Sequence, residues 1–434
     1  MAEHQRARMH AATIELVDER GYAGLTVAAI VEKAGVSKHT FYENFNDKED
    51  CFLATYRVIV RQTAREILFA RQRERGYRAR VRAGFLAFSQ QVAKQPMAAR
   101  LALISILEGG GAAKEARFHT SGLFETLVAD SLAEEEDGVA LPPILVKGIV
   151  AGAIRVAQAR LLAGQEADLP DAADGLVGWV FSLRNEVAMN ACLVGAHAGT
   201  SSMAVVADGK ATNSGVRREQ SIGDERAMIL SAFAQLAMKG QFEALTVAGI
   251  RRAAGISRRC FEQHFDSVAE CLFATLEQRA EGVLAEARSA FYRAGEWPVG
   301  VYLAVSRLCE GLARDPVLTS LSLFELPVSG PEAVKWETDL VGELCDLLWC
   351  AVPPRERPTR LVAEASVGAV SSLVYHHVVA GKAQRLPSIA GAVTYLLLAP
   401  SIDAERAASV IDGSHADSPT IARNDDQERF GQSS

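Results

Sequence analysis

Three polar side chains in a row, Lys38, His39 and Thr40, directly follow Gly35-Val36-Ser37. Ser37 suits the cap of a short helix, because its hydroxyl accepts the orphan amides of a first turn. An ammonium, an imidazole and a hydroxyl at the start of such a helix are the groups that hydrogen-bond base edges in a DNA groove. The chemistry suggested is recognition rather than catalysis. No nucleotide-binding loop, Gly-x-Ser-x-Gly elbow or zinc-spaced Cys/His cluster occurs. The seven cysteines include no Cys-x-x-Cys pair, and an odd count argues against a disulfide framework. They read as small buried hydrophobes in a reduced compartment. The expectation is no catalytic residue, no metal and no cofactor.

The flanking pattern supplies the elements that would position Lys38, His39 and Thr40. Ile14 and Val17 share one face of a helix that stops near Arg20-Gly21. Thr26 can cap a helix from Val27 to Ala34, where Val27, Ile30 and Val31 form one buried face. Gly35 allows the sharp turn, and Ser37 then caps a helix from Lys38 to about Asn44. Asp47 and Asp50 fall in the first turn of a long fourth helix, where acids favour the positive dipole end. Helix, glycine turn and short capped helix is the layout of a helix-turn-helix, whose second helix enters the major groove. An ordinary helical corner has the same short pattern, so the surrounding sequence must decide.

That sequence occurs twice. Leu25-Thr26-Val27-Ala28 returns as Leu245-Thr246-Val247-Ala248, and Ala34-Gly35-Val36-Ser37 as Ala254-Gly255-Ile256-Ser257. Phe41 and Phe45 return as Phe261 and Phe265, Cys51 as Cys271, and Pro96 as Pro316, all at an offset of 220 (246 − 26). Farther on, Ala163-Gly164 and Leu169-Pro170 answer Ala380-Gly381 and Leu386-Pro387 at an offset of 217 (380 − 163). The repeating unit is a whole multi-helix domain, for which duplication is the simple explanation.

The segments Gly21-Tyr22, Leu25 to Ile30, Ala34 to Ser37 and Thr40 to Glu49 together strongly resemble the N-terminal motif of the TetR/AcrR family of transcriptional regulators. The resemblance covers some 45 residues without a gap. It implies a DNA-binding domain followed by an α-helical domain for ligand binding and dimerisation. Carried over position by position, Thr26, Ser37, Tyr42 and Lys48 match phosphate-contacting sites, and Lys38, His39 and Thr40 match the recognition face. Phe41 and Phe45 match core positions. The second copy keeps Thr246, Gly255 and Ser257, but Glu262 stands in place of Tyr42 and Val268 in place of Lys48. A carboxylate repels a phosphate, and without the lysine one favourable charge interaction is missing. Arg258 and Arg259 open its helix, with Arg251 and Arg252 just before, and arginines there can grip guanine edges or phosphates. The same four arginines also suit the solvated face of a degenerate copy.

The expected fold is all-α: two tandem TetR-like units, each a helix-turn-helix domain plus a helical sensor domain. The expected divisions are 1–56 for the first DNA-binding domain, 57–197 for its sensor and 198–216 for a small, polar linker. Then come 217–276 for a divergent second DNA-binding domain, 277–412 for the second sensor and 413–434 for a disordered tail. Gly148 and Gly152, with Gly175 and Gly178 on the next helix, resemble the family's dimer interface and equally suit core packing. Arg100, Glu108 and Arg155 in the first sensor, and Glu325, His376 and His377 in the second, are polar residues within apolar segments that could orient an effector. The adjacent histidines do not share a helix face and make a poor metal pair.

Hydrophobic residues at 49% and charged residues at 23% are the balance of a soluble globular chain, and a length of 434 residues fits two to four domains. The net charge of −7 argues against a general nucleic-acid coat but not against a local reader. No window approaches about 18 consecutive apolar residues, and no signal peptide is visible, so the expected location is the cytoplasm. The expected function is a ligand-responsive, DNA-binding repressor acting as a pseudo-dimer within one chain, with further homodimerisation open. Its expected partners are a double-stranded, asymmetric operator and a small-molecule effector, without a membrane. The alternative is a helical interaction module with one degenerate DNA-binding copy.

Overall fold

The computed structural model describes residues 2–133, 141–184, 220–238, 245–321 and 352–416. Every regular element among the described residues is helical. The N-terminal domain holds α1 (Ala2–Arg20), α2 (Val27–Ala34), α3 (Lys38–Asn44) and the start of α4 (Lys48–Gln72). The first sensor continues with α5 (Tyr77–Lys94), α6 (Pro96–Leu103), α7 (Gly111–Ala133), α8 (Pro143–Leu162) and α9 (Ala173–Ser182). A second series follows: α10 (Gln220–Met238), α11 (Val247–Ala254), α12 (Arg258–His264), α13 (Val268–Arg293), α14 (Trp297–Arg314) and α15 (Pro316–Ser320). It ends with α16 (Arg360–Val379), α17 (Ala390–Ile402) and α18 (Ala404–Ala416).

Element bounds recur with the sequence offsets. α5 and α14 start and stop 220 apart (297 − 77 and 314 − 94). α8 and α16 start and stop 217 apart (360 − 143 and 379 − 162). The divisions expected at 56 and 276 fall inside α4 and α13, continuous helices that run from each short helix pair into the bundle behind it. α18 carries helix through the expected start of the tail at 413 as far as Ala416; the rest of the tail and the linker at 198–216 lie outside the described residues.

Apolar side chains gather into separate cores at the two capped helix pairs, α2–α3 and α11–α12, and one core common to the helices that follow each pair. Phe41, Phe45, Leu16, Ile30 and Phe52 anchor the first end, and Phe261, Phe265, Phe233 and Ile250 the second. The common core joins Ile149, Val156 and Trp179 of the first sensor to Ala365, Leu373 and Leu396 of the second. α8 lies against α16 at its centre. A Cβ on Gly152 would stand 2.5 Å from the Ala365 carbonyl, and one on Gly368 would stand 2.4 Å from the Arg155 Cβ, so these glycines let the two backbones approach. Gly148 and Gly175 also face the other sensor, whereas Gly178 faces open space. Across the seam the Trp179 indole N–H donates to Ser366 Oγ (3.1 Å) and Tyr395 Oη donates to the Leu183 carbonyl (2.9 Å). Arg160 pairs with Glu364 at 3.2 Å.

Among the described residues Ala383–Ile402 is the stretch long and apolar enough by composition to cross a membrane, although Gln384, Arg385 and Ser388 interrupt its apolar run. In the fold this stretch is mostly buried: Leu386, Tyr395 and Leu396 lie fully inside the common core.

Candidate nucleic-acid interface and effector cavity

Local backbone chemistry shapes the first DNA-binding end. Gly21 stops α1 in the left-handed region (φ 68°), and Gly35 makes the α2–α3 turn at φ 60°. Thr26 Oγ1 accepts from the Ala29 amide (3.2 Å), and Ser37 Oγ accepts from the Thr40 amide (3.0 Å). Asp47 caps α4 by accepting from the Asp50 amide (2.8 Å), and the Asp50 carboxylate accepts from the amide of Asn46, the residue before the cap (3.0 Å). Phe41 is fully buried and holds α3 down, leaving Lys38, His39 and Tyr42 in solvent and Thr40 half-buried. Arg8 of α1 donates to the Gly35 carbonyl (3.2 Å), tying the turn to the first helix. Lys48 rests its ammonium 5.0 Å from the Tyr22 ring centre, and His39 pairs with Glu43 at 3.3 Å on the exposed face.

The second end repeats the frame with different side chains. Thr246 accepts from the Gly249 amide (3.1 Å), Gly255 turns at φ 68°, and Ser257 accepts from the Cys260 amide (3.1 Å). Arg258 and Arg259 are exposed, and Arg258 pairs with Glu262 one turn on (2.6 Å). Arg251 is half-buried, with its Nε shut away from solvent and unpartnered, so the four arginines do not form one solvated face. Cys260 donates to Glu225 of α10 (3.4 Å), and His264 lies 3.4 Å from the same carboxylate. These three ligating atoms all lie within 4.8 Å of one another and are the group among the described residues that could hold a metal ion. Spacing along the chain predicts no such cluster. Cys260 and His264, four apart on one helix, were the available signal, but Glu225 stands 35 residues before Cys260 and only folding brings it there.

A cavity of about 160 Å³ lies in the first sensor among α4, α5, α6, α7 and α8. Tyr56, Val60, Ile67, Phe85, Phe88 and Phe124 make much of its apolar wall. The α4 contribution falls at positions 56, 59, 60, 63, 67 and 71, one stripe of a helix. Its polar groups include Arg71, Arg117, Gln91 and Thr120.

Residues 10–55 match the family model described as "Bacterial regulatory proteins, tetR family". The N-terminal end of this chain is a TetR-family DNA-binding domain. Residues 10–55 thus carry the DNA-binding part of a regulator family that is not enzymatic. No curated protein matches the chain. Among solved structures it is similar to the fatty acid degradation regulator FadR from Bacillus halodurans, at 16% identity and a TM-score of 0.38 over 41% of this chain and 94% of that one. It is also similar to the regulator FadR from Bacillus subtilis in complex with stearoyl-CoA (15%, TM-score 0.38, 40% and 96%). A TetR-like regulator from Rhodococcus sp. RHA1 is similar at 18% identity and a TM-score of 0.34, over 40% and 93%.

The effector candidates read from the TetR-like sequence do not gather at the cavity. Arg100 bridges Asp18 (3.2 Å) and Glu166 (3.1 Å). Glu108 accepts from the Tyr22 amide (3.2 Å), joining the sensor to the DNA-binding domain; its burial raises its pKa. The Arg155 stem packs on Gly368. His376 and His377 Nδ1 lie 2.8 Å and 3.1 Å from the Ser372 and Leu373 carbonyls, within their own helix. Glu325 lies outside the described residues. The cavity arginines were missed instead. Arg71 follows Val60, Ala64 and Ile67 at helical spacing, and a cation on an otherwise apolar stripe was the signal.

Proposed function

We propose that this regulator is two TetR-like units in one chain, closed on each other as a pseudo-dimer that reads an asymmetric operator and responds to an effector. The observation that carries this reading is the single core shared by the two sensors, centred on α8 and α16, helices of equal length 217 residues apart. A TetR-type homodimer brings two copies of one surface together; here the sister surface is supplied within the chain, at high effective concentration. The DNA-binding domains would then present α3 and α12 to half-sites about one DNA turn, roughly 34–36 Å, apart.

In this reading Lys38, His39 and Thr40 meet base edges, and Thr26, Ser37, Tyr42 and Lys48 meet phosphates. Thr246 and Ser257 take the corresponding phosphate positions in the second unit, where Arg258 and Arg259 supply the cations. Lys-His-Thr on one helix and Arg-Arg-Cys on the other call for two different half-sites. An effector in the first-sensor cavity shifts α4, which carries Lys48, and so changes the spacing of the two readers. It releases DNA to the degree that it prefers the released state. A second reading, a sensor with one degenerate DNA-binding copy, draws on the Arg258–Glu262 pair, which occupies a cation that would otherwise face DNA.

Mass measurement of the free protein and its DNA complex, together with a footprint on a selected operator, tests the proposal. The expected result is one chain on one non-palindromic site covering two half-sites. Two chains on a symmetric palindrome, each using only α3, would overturn it.

A further inference from the structure

Arg71 is 8% exposed, lines the cavity, and its Nε has no hydrogen-bond partner. A guanidinium does not give up its proton, so it must be paired or bear a large desolvation cost. Burial works against its charged form, Asp130 on the exposed side of α7 works for it, and Arg80 works against it. Arg117, the other cation of the lining, sits over the Tyr375 ring of α16 (5.4 Å). Among the described residues the lining includes no Asp or Glu. An apolar chamber with two cations and no carboxylate is electrostatically unfinished.

The second unit shows that the fold does not require this arginine. The position equivalent to Arg71 (71 + 220 = 291) is Phe291, which packs against the common core. A hydrophobe there serves packing, so packing does not account for Arg71. Gly84 of α5 lies beside the Arg71 stem, its Cβ site in ordinary contact at 3.6 Å from Arg71 Cδ.

We infer that the cavity takes an apolar monoanion, a carboxylate on a body about the size of one aromatic ring, whose anionic group pairs with Arg71. The size follows from the volume of about 160 Å³, since an apolar cavity of about 150 Å³ holds one benzene. The head group follows from the geometry of guanidinium, which meets a carboxylate with two parallel hydrogen bonds. Arg71 lies 23 residues beyond Lys48 on one continuous helix (71 − 48), about 35 Å along its axis. An anion drawn to Arg71 therefore acts on the helix that begins at the DNA-binding end. This inference rests on the reading of the cavity as the effector site and adds the ligand class to it.

The test compares phenylacetate, 2-phenylethanol and 2-phenylethylamine, three head groups on one ring, by calorimetry on the full chain at neutral pH. The acid is expected to bind about tenfold or more tighter than the alcohol, as a charge-assisted pair should, and the amine not at all. Arg71→Met is expected to abolish the acid's advantage and leave the alcohol's affinity within about twofold. Its thermal midpoint without ligand should equal or exceed that of the parent, because a buried, partly unpaired charge is removed. Arg71→Lys should keep part of the preference. Equal binding of acid and alcohol by the parent, a preference that survives Arg71→Met, or no binding of the acid would each overturn the inference. Operator release is read separately by gel shift. Arg71-dependent acid binding without release leaves the ligand class standing and defeats the effector reading; release by the alcohol with no acid preference does the reverse.

Discussion

The two units share a frame and differ in what they hang on it. Thr26 and Thr246, Gly35 and Gly255, Ser37 and Ser257 make the same caps and turns. Outside the frame the pairs diverge: Tyr42 against Glu262, Lys48 against Val268, His10 against Leu230, Arg71 against Phe291. At the seam Trp179 faces Ser366, while the equivalent of Trp179 is Leu396 (179 + 217) and the equivalent of Gly178 is Tyr395 (178 + 217). The frame positions satisfy backbone groups that any such helix pair must satisfy. Of the divergent positions, Tyr42 and Lys48 are those proposed to meet DNA and Arg71 the one proposed to meet a ligand, Trp179 lies at the seam, and His10 lies inside a core, bonded to Thr55.

The largest expected effect lies at the seam. Trp179 is 1% exposed and donates to Ser366. Trp179→Ala should cost about 3–5 kcal/mol in denaturant unfolding, whereas Ser366→Ala, which removes only the hydrogen-bond acceptor, should cost about 1–3 kcal/mol. If Trp179→Ala costs no more than Ser366→Ala, the sensors do not depend on one core.

Next comes the division of labour on DNA. Tyr42→Ala with Lys48→Ala should weaken operator binding across sequences and flatten the salt slope by about 0.9 for each phosphate left without its cation. Glu262→Tyr with Val268→Lys should steepen it. Unchanged slopes in both double variants would sink the assignment of phosphate-binding residues. Arg258→Ala with Arg259→Ala should instead alter the selected half-site, as the removal of base readers does; an unaltered site supports the degenerate copy.

The DNA-binding cores should also differ in acid. His10 is buried against Thr55 (2.8 Å), and burial, with Arg6 and Arg61 nearby, holds its pKa down at about 4 from 6.5. The unfolded chain therefore takes up the proton first. Stability is whole above about pH 6.5 and falls as the pH drops towards about 4, by about 1.4 kcal/mol for each unit of pKa difference. His10→Leu, which copies Leu230, should remove that part of the acid sensitivity. Unfolding curves with the same pH dependence in both proteins would refute the assignment.

The smallest difference is expected where the units agree. Thr26→Ala and Thr246→Ala should each cost about 1 kcal/mol, the loss of one cap. Clearly unequal costs on thermal unfolding would show that the frame itself has diverged.

Sequence by itself determined the parts whose causes are local. A capping hydroxyl acts on amides two or three residues away, and a left-handed turn needs its glycine in place, so Thr26, Gly35, Ser37 and the offset of 220 were all legible. The buried faces of Phe41 and Phe45 were legible for the same reason, since helical periodicity is short-ranged. Tertiary structure alone decided which polar residues face the cavity. Arg100, Glu108, Arg155 and the two histidines looked like effector-binding groups, but salt bridges, a helix junction and the seam claim them. Arg71 drew no reading from the sequence, and only the packing of α5 and α7 puts it in a cavity wall. Glu225 met Cys260 and His264, and Arg160 met Glu364, over separations that no periodic pattern spans. The pairing of a side chain with one 35 or 200 residues away depends on how whole helices pack, and packing is set by the summed shape of many side chains.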